Sequence, residues 1–114
     1  MPPRDWKLRL EDLLEALARV EGYVQGMNFE TFAKDVRTQD AVIRNFGIIG
    51  EAANHVPDAI RTAHPGVPWP QMRALRNLVV HEYFGINLEI LWDTVKKDLP
   101  PLREPLERLL HPEP

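Results

Sequence analysis

A chain of 114 residues has room for one domain. Its 44% hydrophobic and 27% charged residues fit a soluble globular protein, and no apolar run nears the roughly 20 residues that span a membrane. A net charge of -3 argues against a surface that coats nucleic acid, though not against a local basic pocket, and the lack of cysteine excludes disulfides and thiolate metal sites and fits a reducing cytoplasm.

The opening "MPPRDWKLRL" carries no apolar signal core, so export is not expected. Residues 4–27 place Leu10, Leu13, Leu14, Leu17, Val20, Val24 and Met27 at spacings of three and four. That pattern predicts one long amphipathic helix, with Asp5 as its N-cap and Gly26 near its end. Asn28 can cap a short helix, "FETFAKD".

Thr38 is the expected cap of the next helix, "QDAVIRNFGIIGEAANH", and Asp40 is expected to serve the same N-terminus. Val42, Ile43, Phe46, Ile49 and Ala53 form its buried side. Gly47, Gly50 and Ala53 leave a second side nearly bare. Glycine in a helix costs about 1 kcal/mol relative to alanine, so a close backbone approach is expected there. Arg44 and Glu51 lie seven apart on one stripe and are expected to pair or to flank a cleft. Pro57 should end or redirect the helix.

"HPGVPWP" is the strongest breaker in the chain. Helix should resume at Pro70 and run to Phe84, with Gly85 at the left-handed position beyond it. Asn87 then caps "LEILWDTVKKDL", which Pro100 and Pro101 stop, and a last helix covers residues 103–110. Trp69 and Trp92 read as packing anchors, Lys96 and Lys97 as a solvated face, and His55, His64 and His111 as residues of loops and ends. Nothing alternates with a period of two. An all-α antiparallel helical bundle is expected.

One helix end gathers unusual chemistry. "RNLVVHEYFG" sets Arg76, Asn77, His81 and Tyr83 within about two turns, with Arg73 one turn earlier. Arg76 and Tyr83 share a stripe, and Asn77 and His81 share the next. The chain has neither serine nor cysteine for acyl transfer, and no H-E-x-x-H or paired-carboxylate spacing for a metal site. A histidine among arginines suits a phosphodiester. The imidazole can move a proton near neutral pH, and the guanidinium can grip phosphate oxygens with two hydrogen bonds. Asn77 could hold the imidazole in one orientation. Spacing alone leaves a plain reading open: the dipole favours histidine at a helix C-terminus, and tyrosine packs well on a neighbour.

The stretch also has the pattern R-x-x-x-x-H-x-Y, with a polar residue directly after the arginine. It follows "TQDAVIRNFGIIGEAANHVP" and "HPGVPWPQMRALRN" and precedes "LEILWDTVKKDLP". In that order these segments resemble the HepT-like branch of the HEPN superfamily over nearly the full chain. The short pattern is weak alone; the ordered set is specific. The resemblance implies a single HEPN-type bundle over residues 1–114 that forms a homodimer. It implies a metal-independent endoribonuclease that needs no cofactor, with Arg76 and His81 as catalytic residues and RNA as substrate. It also implies a toxin of a type II/VII-like toxin–antitoxin system. The antitoxin partner would be a minimal nucleotidyltransferase that adds AMP to Tyr83. Arg73 and Asn77 would support RNA binding.

Two other readings stand beside it. The chain could be a non-catalytic module that holds substrate or partner for a nucleotidyltransferase, or a structural helical dimer. Retention of both Arg76 and His81 favours the enzyme. The apolar stripes exceed what one small bundle covers, and the Gly47/Gly50 face invites a close helix. Both features point to a two-fold dimer with a shared cleft.

Overall fold

The computed structural model describes residues 5–82 and 87–112, apart from the side chains of residues 78–82. Every regular element among them is helical.

Helix α1 (Trp6–Val24) begins where expected, because the Asp5 carboxylate accepts a hydrogen bond from the Lys7 N–H. Its buried face holds Leu10, Leu13, Ala16, Leu17, Val20 and Val24. Leu14 and Met27 are only partly buried. Met27 falls beyond the helix, since the chain turns at Gly26 with φ 78°. Helix α2 (Phe29–Lys34) starts with a reciprocal cap between Asn28 and Thr31.

Helix α3 (Val36–Asn54) corrects one expectation. Its cap is Asp35, not Thr38. The Asp35 carboxylate accepts from the Thr38 N–H at 3.0 Å and the Thr38 hydroxyl at 2.8 Å. These bonds, the backbone one first, hold the Asp35 carboxyl below its usual value. Asp40 lies exposed beyond the first turn and does not serve the helix start. The expected core side, Val42, Ile43, Phe46, Ile49 and Ala53, is buried in full.

After α3 the chain forms a short helix that the sequence pattern did not suggest, α4 (Asp58–Ala63). Trp69 is buried and donates its ring N–H to the His64 carbonyl at 3.0 Å, which fixes the turn into α5 (Trp69–Glu82). The expected extension to Phe84 and the cap at Gly85 lie outside the described residues.

Asn87 caps α6 (Leu88–Asp93) through the Glu89 and Ile90 N–H groups. The expected regular helix to Leu99 gives way to a wider π-helical turn, Thr94–Asp98. There the Thr94 hydroxyl bonds the Ile90 carbonyl at 2.8 Å, and the Leu99 N–H reaches back to Thr94 O. Pro100, with no N–H to give, opens a short 3-10 turn, Pro100–Leu102, before α7 (Arg103–Leu110).

Helix α3 is the centre. It lies between α1 and α5, while α7 covers α1 and α2 meets α6. Arg9 sits near Ala52 and Arg19 near Asn45, so α1 and α3 run antiparallel. Gly50 touches Arg76 and Asn54 lies near Pro70, so α3 and α5 do too. Phe32 meets Trp92 at 5.1 Å, and Arg103 ties α7 to Glu21 of α1 at 2.8 Å. The fold is the expected all-α bundle.

Candidate active site

The site begins with a glycine. A Cβ on Gly50 would stand 2.7 Å from both the backbone nitrogen and the Cβ of Arg76. Only a hydrogen fits, so α5 lies directly on α3 at Arg76. The close approach expected of this face is therefore made within the chain, by α5. It is confined to Gly50, because a Cβ on Gly47 would meet nothing within 4 Å.

Glu51 follows Gly50 and turns toward the same residue. Its Oε2 lies 3.2 Å from Arg76 Nε. Its Oε1 lies 3.4 Å from Nδ1 of His55, which also contacts the Glu51 carbonyl oxygen at 2.8 Å. The expected Arg44–Glu51 pair is replaced by this bridge between helices. Seven residues along α3 put Arg44 and Glu51 on one stripe, but Arg76 on α5 comes closer. Arg44 is exposed and lines a shallow groove with Arg9 and Gly47.

Arg73, Arg76 and Asn77 come together around a pocket of about 300 Å³, bordered by Asn54 and Pro70. All three are exposed. The Arg76 side chain is 52% exposed, so Glu51 tethers it without burying it. His81 lies on α5 five residues past Arg76, in the last described turn. Its ring, and hence the expected contact with Asn77, lies outside the described residues, as does Tyr83. Among the described residues no three His, Asp or Glu side chains group as a metal cage, and no helix is long and apolar enough to cross a membrane.

The remaining candidates take structural places. Trp69 is buried and Trp92 packs on Phe32. Lys96 and Lys97 are exposed, with Lys96 over the Trp92 ring at 5.3 Å. His55, His64 and His111 each stand at a helix C-terminus. Sequence reasoning missed Glu51 as the partner of Arg76. The available signal was its position beside Gly50, where, alone among the described glycines, an added Cβ would meet another helix.

The helix seated on Gly50 thus carries two exposed arginines, Arg73 and Arg76, with His81 five residues beyond Arg76 in the chain, and guanidinium groups of this kind can bind a phosphodiester. Residues 13–109 match the family described as Ribonuclease HepT-like, and the chain belongs to that family. It is similar to a protein of Thermococcus cleftensis named "Probable ribonuclease HepT", at 42% identity over 93% of this chain and 96% of the relative. It is also similar to "Putative RNase MJ0127" of Methanocaldococcus jannaschii, at 42% identity over 88% of this chain and 83% of that one. A third relative, "Putative RNase TTE0752" of Caldanaerobacter subterraneus subsp. tengcongensis, is 36% identical over 91% and 93%. No solved structure gives a significant match.

Proposed function

We propose that this chain is a metal-independent endoribonuclease, acting as a single-domain toxin that a partner nucleotidyltransferase neutralises. The observation that carries the reading is the seating of Arg76. Gly50 fixes its backbone and the Glu51 carboxylate stands 3.2 Å away as an ion pair, while the guanidinium stays half exposed beside Arg73 and Asn77. The family membership and the names of the relatives support RNA as the substrate.

The chemistry needs a base, an acid and a cation. A base takes the proton from a ribose 2′-hydroxyl, whose oxygen then attacks the adjacent phosphorus. The bond to the 5′-oxygen breaks, an acid protonates that oxygen, and a 2′,3′-cyclic phosphate remains. His81 is suited to either proton transfer. A two-fold homodimer would bring two copies of His81 to one cleft and supply both. Arg76 stabilises the charge on the phosphoryl oxygens, with Arg73 and Asn77 holding the strand. AMP attached to Tyr83 would tether a phosphate near these arginines and compete with RNA at high effective concentration.

The test is cleavage of mixed-sequence RNA by purified chain. His81→Ala and Arg76→Ala should each lose roughly 10²–10⁴ in rate while keeping a helical circular-dichroism spectrum. Full activity in either variant would end that residue's assignment.

A further inference from the structure

We infer that the apolar cavity on the far flank of α5 is a base-recognition subsite: it takes one unstacked base of the RNA strand that Arg73 and Arg76 hold, guanine above the others. This rests on the reading of Arg73 and Arg76 as phosphate-binding cations.

The cavity measures about 460 Å³ and lies where α5 meets the π-helical turn and the 3-10 turn after it. Met72, Leu75, Leu99 and Leu102 line it with apolar surface. Gln71 of α5 and Asp98 of the π-helical turn line it too, and both are exposed, so they stand at its rim. Neither side chain has a hydrogen-bond or ion-pair partner among the described residues. A mostly apolar cavity of this size with a few polar groups is the usual form of a small-ligand site. π-helical turns are rare and recur at functional sites.

Ala74 joins this cavity to the arginine pocket, because it lines both. It is exposed on the ridge of α5 between them, and its side chain is a single methyl group. A strand gripped by Arg73 and Arg76 on one flank therefore meets little obstruction in setting a base into the other. That is how sequence is read in single-stranded RNA: an unstacked base lies with its flat faces against side chains, and its edge makes hydrogen bonds. The Asp98 carboxylate only accepts. Guanine sets two N–H donors side by side, at N1 and N2, and no other RNA base does so on that edge. Gln71 adds an amide with a donor and an acceptor.

The experiment uses a uridine oligonucleotide carrying one guanine, and the same strand with uracil or an abasic residue in that place. Binding is read by fluorescence anisotropy on 2′-O-methylated strands, and cleavage on all-ribose strands. Wild type should bind the guanine strand roughly tenfold more tightly than the abasic or the uracil strand. Its cut should keep a fixed step from the guanine as the guanine is moved along the strand. Asp98→Asn should lose most of the preference for guanine over uracil. Leu75→Trp fills the cavity and should bind the guanine and abasic strands alike. Arg73→Ala should weaken every strand by the same factor, as expected of a phosphate contact.

Equal wild-type affinity for all three strands would overturn the subsite, and the ribonuclease reading would stand if the all-ribose strands were still cut. A guanine preference that survives Asp98→Asn would overturn it as well. That variant changes an exposed side chain, so it decides the matter even where Leu75→Trp fails to fold. A Leu75→Trp chain that keeps the preference but changes its mass in light scattering would make the cavity an interface between copies instead. A guanine preference in binding, from a chain that leaves every all-ribose strand whole, would uphold the subsite and overturn the ribonuclease reading.

Discussion

Helix α3 carries two seams of different construction. Toward α1 it meets a run of large apolar side chains, with Leu10, Leu13, Leu17 and Val20 all fully buried in the common core. Toward α5 it meets a backbone, through Gly50, and next to that contact an ion pair that stays half exposed. The first seam gains its strength from apolar area removed from water. The second gains little from area. It fixes a distance and an angle, and it puts a cation where a ligand can reach it. One helix can thus serve as core on one side and as a template for chemistry on the other.

The contrast can be broken at each seam in turn. The largest effect on stability belongs to the α1 side. Leu13→Ala should destabilise the chain by about 2–5 kcal/mol in chemical denaturation, and the fraction that remains folded should cleave RNA at the wild-type rate. A selective loss of cleavage in that folded fraction would mean that the two seams are not separable.

On the α5 side the effect is smaller in stability and larger in function. Gly50→Ala forces a Cβ against the Arg76 backbone, and overpacking of this kind costs about 1–3 kcal/mol. Better helix propensity returns at most about 1 kcal/mol. The net loss should be modest, but cleavage should fall with it even under conditions where the variant is fully folded. Gly47→Ala is the control and the smallest change. With open space around it, it should gain about 0.5–1 kcal/mol from propensity. A loss there instead would sharpen the case for a second copy of the chain packed on α3 at that position.

The legibility of these features follows the range of the forces behind them. Asp5, Asn28 and Asn87 were readable as caps because a cap acts within three residues. The start of α3 was ambiguous for the same reason: Asp35 and Thr38 are both cap types, and their mutual hydrogen bonds decide which one leads. The apolar faces of α1 and α3 were readable because burial imposes a helical period on the sequence. The π-helical turn was not, since it depends on one hydroxyl and on the prolines that follow. Helix α4 was masked by the prolines and glycine around it.

At the site, the convergence of Arg73, Arg76 and Asn77 needed only one helix and was legible. The partner of Arg76 was not. Glu51 lies on another helix, and spacing along α3 pointed to Arg44 instead. Gly50 marked where a neighbour would come close but could not say which neighbour.

On the proposed function, the α3–α5 seam builds a site for cleaving RNA at a 2′-hydroxyl. The most direct test is wild-type protein in excess EDTA, offered an all-ribose oligonucleotide and the same sequence with every 2′-hydroxyl methylated. Cleavage of the first, with 2′,3′-cyclic phosphate ends, and an intact second are expected. Cleavage of the methylated strand, or an all-ribose strand left whole until magnesium is added, would contradict it.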